Sequence, residues 1–208
     1  MMKQKPLAAV AALFLSLTAC TASQQGWLSW RGPMQNGTSL EENLPAKVEF
    51  GGTSWTYKLA GRGTPVVAAG RVYSLGYEGE QSELQEVLVC LDERTGKRIW
   101  EHRFTDFISD IIYSRYAIGS PTIDPETGSV LCLSAAGLFS CFTADGKLLW
   151  QHSMMSEYGR LTFPNGRTGA PLVTDDLAIA IIWLAFFPPA LYRSWIDSQA
   201  VTEGVGEA

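Results

Sequence analysis

Two stretches of this chain repeat one pattern, and that repetition constrains the fold more than any other feature. "DERTGKRIWEH" runs from Asp92 to His102, and "TADGKLLWQH" from Thr143 to His152. Each is a short polar turn, Gly-Lys, two residues, Trp, one residue and His. Trp100 and Trp150 stand 50 positions apart. The repeat extends upstream of both. "GTPVVAAGRVYSLG" (Gly63–Gly76) and "EVLVCLDERTGKRIWEH" (Glu86–His102) read as a Pro-led strand, a Gly turn, two further strands, the Gly-Lys turn and a Trp strand. "GSPTIDPETGSVLCLSAAGLFSCFTADGKLLWQH" (Gly119–His152) holds the same order, and "GAPLVTDDLAIAII" (Gly169–Ile182) opens a third copy. The leading prolines, Pro65, Pro121 and Pro171, are 56 and 50 residues apart.

No helical period competes in these stretches, and β-branched and aromatic residues fill them. Twenty Gly, ten Pro and seven Trp point the same way, toward a turn-rich β protein. Four short strands every 40–50 residues mark a β-propeller blade, a meander that buries its faces only against neighbouring blades. A β-sandwich also uses short strands but does not require internal repetition. The expected fold is therefore all-β: a partial β-propeller of four-stranded antiparallel blades, about three of them in an incomplete ring.

The N-terminus reads as an export signal. Lys3 and Lys5 precede an apolar run, Leu7 to Leu17, broken only by Ser16, and "LTAC" ends at Cys20. Small residues before a cysteine look like a bacterial lipobox, which makes Cys20 the lipidated first residue of the mature protein. An ordinary secretory signal with a chance cysteine is the competing reading. The run falls short of the ~20 residues a membrane-spanning helix needs. Thr21 follows the cysteine where an Asp would mark inner-membrane retention, so outer-membrane sorting is the default in a Gram-negative host. Removing residues 1–19 takes away two of the 16 basic residues and none of the 21 acidic ones, so the net charge goes from −5 to −7. That balance disfavours nucleic-acid binding.

Cys90, Cys132 and Cys141 remain in the mature chain. An exported protein can hold a disulfide. A two-residue turn at Ala136-Gly137 would set Cys132 opposite Cys141 and allow a bridge. A three-residue turn including Ala135 would put them on opposite faces as buried thiols.

These motifs resemble the quinoprotein-like β-propellers built from PQQ-type repeats, whose repeat reads roughly Ala/Cys-Leu-Asp-x-x-Thr-Gly-Lys-x-x-Trp. The matches are "CLDERTGKRIW" (Cys90–Trp100), "CFTADGKLLW" (Cys141–Trp150) and the strand openings "TPVV", "SPTI" and "APLV". "WRGPMQNG" (Trp30–Gly37), with Leu44-Pro45, looks like the lead-in of exported members. The resemblance implies that Trp100 and Trp150 dock against a neighbouring blade near its Gly turn. Asp92 and Thr95 would cap the first turn, while Gly96 takes its positive-φ position; Asp145 and Gly146 belong to the second turn.

The family also includes PQQ-dependent dehydrogenases, which use Ca²⁺ on oxygen ligands, an Asp base and often adjacent cysteines, on a ring of about eight blades. Here there is no Cys-Cys pair, "DPE" (124–126) and "TDD" (174–176) are ordinary turn compositions, and the chain has room for about three and a half blades. No quinone cofactor and no metal are therefore expected. His102 and His152 are the only histidines and fall two short of a four-ligand metal site. Family members without quinone ligands include the lipoprotein scaffold of the outer-membrane β-barrel assembly machine, although "WRGP" is closer to other exported propellers.

After Ile182 the rhythm stops. Ala178 to Phe187 is unbroken apolar sequence, Pro188-Pro189 follows, and no Gly-Lys turn arrives near position 200. The expected organisation is a lipoprotein signal peptide (1–19), a lead-in (20–64), propeller repeats (65–182) and an atypical tail (183–208). The tail suggests a truncated or frameshifted product of a propeller of ~350–450 residues, given seven or eight blades. The alternative is a short protein that self-associates through open sheet edges. The function expected is binding or scaffolding in the cell envelope, with envelope proteins or a small ligand as partner and the membrane reached only through the lipid anchor. A dehydrogenase fragment and a non-functional product are the alternatives. No catalytic residue is assigned.

Overall fold

The structure, a computed structural model, describes residues 24–34, 36–39, 41–44, 46–47, 55–80, 83–104, 117–158, 169–174 and 177–180, and the backbone of Glu203–Gly204. Cys20, the signal segment and the tail residues 183–202 lie outside them.

The chain forms a partial β-propeller. The first blade holds β2 (Val66–Ala68), β3 (Arg71–Glu78), β4 (Gln85–Asp92) and β5 (Arg98–Phe104), and the second holds β6 (Thr122–Ile123), β7 (Val130–Leu133), β8 (Leu138–Phe142) and β9 (Leu148–Ser153). Every pairing in both is antiparallel and sequential. The third sheet contains β10 (Leu172–Thr174), β11 (Leu177–Ile179) and β12 (Glu203–Gly204). A five-residue helix, α1 (Met154–Tyr158), follows β9.

The lead-in does more than approach the blades. β1 (Gly26–Trp27) joins the inner edge of the first sheet beside β2. On its other side Ile123 donates to the Leu28 carbonyl at 2.8 Å, and Gln24 donates to the Pro125 carbonyl at 2.6 Å. The lead-in therefore bonds to the inner strands of both blades, giving the first sheet a fifth strand.

Strand alternation builds the core in layers. Along β4, Leu88 and Cys90 face the second blade and join Val130, Cys132 and Phe142 in one cluster. Val87, Val89 and Leu91 point the other way, beneath Trp55, Tyr57 and Leu59 of the lead-in. In the second blade Leu131, Leu133, Phe139 and Cys141 face Met154, Ala178 and Ala180. Burial on both faces explains why these strands read as continuous apolar runs rather than alternating ones. Each fully buried Leu or Val contributes roughly 1.5–3 kcal/mol.

The two repeats share one pairing and one irregularity. Cys90 pairs with Trp100 and Cys141 with Trp150, and each ladder shifts register immediately afterwards. The shifts leave Ile99 and Leu149 as the extra, exposed residues of matching bulges.

The bridge between Cys132 and Cys141 does not form. Cys132 pairs with Ser140 and Cys141 with Leu131, the register of a three-residue loop, Ala135 to Gly137. Gly137 at φ 80° and the Gly137 N–H bond to the Ser134 carbonyl are what such a loop requires. The one-residue shift sends Cys132 to one core layer and Cys141 to the other.

Candidate functional site

Two tryptophan–glycine contacts join the blades and their lead-in. In the Asp92–Lys97 turn the Asp92 carboxylate accepts from the Thr95 N–H at 2.7 Å and from its hydroxyl at 2.6 Å. These bonds, the hydroxyl first, hold the Asp92 carboxyl below the usual carboxylate range. The stabilisation is present above that range and is lost as pH falls through the depressed value. Gly96 closes the turn at φ 68°. The second turn is one residue shorter: Gly146 takes φ 86°, and the Thr143 hydroxyl accepts from Lys147 N at 3.1 Å.

Trp100 lies over the second turn. A Cβ on Gly146 would sit 2.7 Å from its Cδ2, and the indole N–H donates to the Ala144 carbonyl at 2.9 Å. Arg71, from β3, donates to that same carbonyl and pairs with the exposed Asp145 carboxylate at 2.8 Å. Tyr73 and Phe142 flank the indole with ring centroids at 5.9 and 6.1 Å. One turn of the second blade is thus gripped by two side chains of the first.

Trp55 makes the same contact one step upstream. A Cβ on Gly96 would sit 2.3 Å from Trp55 Cδ2, and the indole N–H donates to the Glu93 carbonyl at 2.7 Å. Trp55 is absent from the motif residues because no Gly-Lys turn precedes it. Its signal is the phrase Trp-x-aromatic: Trp55-Thr-Tyr57, Trp100-Glu-His102 and Trp150-Gln-His152. Trp150 is half-buried against Phe139, centroids 5.1 Å apart, with His152 at 5.7 Å. Alanine at Gly96 or Gly146 is expected to cost more than the ~1–2 kcal/mol of a left-handed backbone, because the indole must also move. Chemical denaturation of the two variants measures it.

Glu86 is a further residue outside the motif. It is fully buried in β4 and accepts from the Ala117 N–H at 2.5 Å and the Ala135 N–H at 2.7 Å. Ala117 holds φ 48°, and its carbonyl accepts from Arg62 and Gly63 at 3.0 and 3.2 Å. One carboxylate therefore ties the first blade to two points of the second, one of which also holds the lead-in. Strand alternation would have placed it, since Glu86 shares a face with Leu88 and Cys90.

"DPETG" is a second capped turn. Asp124 accepts from Glu126 N at 2.9 Å and from the Thr127 hydroxyl, and Gly128 takes φ 72°. The Ser120 hydroxyl accepts from Thr64 N at 2.7 Å and the Thr122 hydroxyl donates to the Pro171 carbonyl at 2.6 Å, so the Pro-led strands are cross-linked.

The histidines do not converge. His102 packs between Phe104 and Phe142 at 4.9 and 4.8 Å, and burial lowers its pKa. His152 meets Glu157 at 2.8 Å. Among the described residues no three His, Cys, Asp or Glu side chains gather in a form that holds a metal. Glu86 is committed to backbone N–H groups, and Cys132 and Cys141 lie in different layers.

Burial pushes the Cys90 and Cys141 thiols up to about 11 and the Tyr73 hydroxyl up to about 12. Folded values above the ordinary 9.0 and 10.0 mean stability that is complete below pH 9 and is lost as pH rises toward 11. Thermal melts from pH 8 to 11 are expected to show a falling midpoint, and native thiols at pH 8 should resist alkylation.

The sequence pattern of one family, outer membrane protein assembly factor BamB, matches residues 24–182, lead-in included. The chain belongs to the BamB family. Solved structures resemble it as well, two of them as follows. One is a quinohemoprotein alcohol dehydrogenase from Comamonas testosteroni, at 22% identity over 59% of this chain and 17% of that one, TM-score 0.39. The other is BamB from Moraxella catarrhalis, at 13% identity over 61% and 46%, TM-score 0.34. The chain spans less than half of either structure. No curated protein matched it.

Proposed function

We propose that this chain is an exported, lipid-anchored binding or scaffolding propeller of the cell envelope, held at the periplasmic face of the outer membrane through Cys20. The family match over residues 24–182 carries this reading. The blade contacts suit a scaffold, because Trp55, Trp100 and Glu86 fix the blades and hold their outer surfaces in a set geometry. The acidic balance favours protein or small-ligand partners over nucleic acid.

The outer edges offer a route to self-association. β5 carries Arg98, Glu101 and Arg103, with Arg103 paired to Glu78 at 2.7 Å and Glu101 at 3.0 Å, the charged guarding typical of a protected edge. β9 has no charged residue and exposes Leu148 and Leu149.

Crosslinking in intact cells, followed by pull-down of the lipidated protein from membranes, tests the proposal. Outer-envelope proteins captured at defined sites on the blades are the expected result. An empty pull-down, together with dye-linked alcohol or sugar oxidation after addition of PQQ and Ca²⁺, would overturn it in favour of an enzyme.

A further inference from the structure

The turn at residues 29–34 sets apolar and cationic side chains outward on a fixed base. The buried Ser29 hydroxyl donates to the Gly32 carbonyl at 3.2 Å, and the Gly32 N–H returns to the Ser29 carbonyl at 2.9 Å. Trp27 lies on Gly32, where an added Cβ would come within 2.8 Å of its ring, and Gly37 N–H closes onto the Arg31 carbonyl at 2.8 Å. The turn leaves Trp30 55% and Met34 50% exposed, with the Arg31 guanidinium 5.7 Å from the Trp30 ring centroid. Among the described residues the blade contacts use none of these three side chains.

We infer that Trp30, Arg31 and Met34 dock on the phospholipid bilayer at the headgroup–acyl boundary, as a second contact beside the lipid on Cys20. The inference rests on the anchoring reading above. Gln24 is already bonded into the folded body through Pro125, and it stands only four positions after Cys20. Four such steps reach at most ~14 Å, so an acylated Cys20 holds this end of the blades against the membrane. Indole rings favour the interface, and a guanidinium suits lipid phosphate. A patch this small would bind weakly alone, and Glu41 and Glu42 in the same lead-in oppose attachment by charge. The tether removes that limit by keeping the patch at high effective concentration beside the bilayer.

The test uses the full lipidated protein in vesicles of phosphatidylethanolamine and phosphatidylglycerol carrying brominated acyl chains, with tryptophan fluorescence as readout. Wild type should show a quenched component that is lost in Trp30→Phe and weakened in Arg31→Glu. Both positions are exposed, so matching denaturation midpoints confirm intact folds. Mass spectrometry of the N-terminal peptide separates the two ideas. A Cys20 without lipid sinks the anchoring and the docking together. A lipidated Cys20 with equal quenching in wild type and Trp30→Phe sinks the docking alone.

Discussion

Replacing Glu86 with alanine is expected to remove about 3–5 kcal/mol of stability, the largest loss from any single polar group in the described blades. Two buried backbone N–H groups, of Ala117 and Ala135, would lose their acceptor together. Each such loss costs roughly 1–3 kcal/mol. The Ala117 bond also holds a non-glycine residue at φ 48°, a conformation that relaxes once the carboxylate is gone. Because that alanine's carbonyl supports Arg62 and Gly63, the lead-in should loosen with it. Glu86→Gln keeps one acceptor oxygen and should fall between wild type and alanine. Urea denaturation gives the free energies, and hydrogen exchange at Arg62 and Gly63 reports the coupling. Wild-type protection at those amides in Glu86→Ala would show that the carboxylate does not hold the lead-in.

Trp100→Ala comes next, at about 3 kcal/mol, near the lower end for a large aromatic because the ring is only half-buried. The variant loses the hydrogen bond to Ala144, the cover over Gly146 and the contacts with Tyr73 and Phe142 at once. Trp150→Ala should cost less. Trp150 occupies the same repeat position, but its described contacts are Phe139 and His152 rather than a glycine turn. Equal losses at the two positions would mean that ring burial, not the turn contact, sets the energy. A double variant with Arg71→Ala measures how far the two grips on the second turn act as one unit.

The residues that build a blade were legible because each does its work locally. Asp92 and Thr95, three positions apart, cap their own turn, Gly96 and Gly146 supply positive φ, and a strand period of two sends alternate residues into two layers. Their spacing repeats, so two copies in phase identify the fold and the strand order. Residues acting between blades were harder to read. Trp55 works 38 positions away from Glu93, and Glu86 works 31 and 49 positions away from Ala117 and Ala135. Glu86 looks like a polar strand start until the opposing blade is in place, although its shared face with Leu88 and Cys90 was a usable signal.

The cysteines mark the same boundary. The sequence admitted two loop lengths between Cys132 and Cys141, differing by one residue in register. Local preference does not separate them, since Ala136-Gly137 suits either. What decides is the burial of both faces of β7 and β8: Cys132 is taken by the first blade's layer and Cys141 by the third sheet's, so the three-residue loop follows. The sequence by itself determined the repeat, the turns, the all-β class and Trp100 as a residue that joins blades. Only the tertiary structure decided which turn each tryptophan meets, which face each cysteine takes and where a buried carboxylate finds its partners. Those outcomes depend on groups brought together across 30 to 75 residues, and no local pattern records that distance.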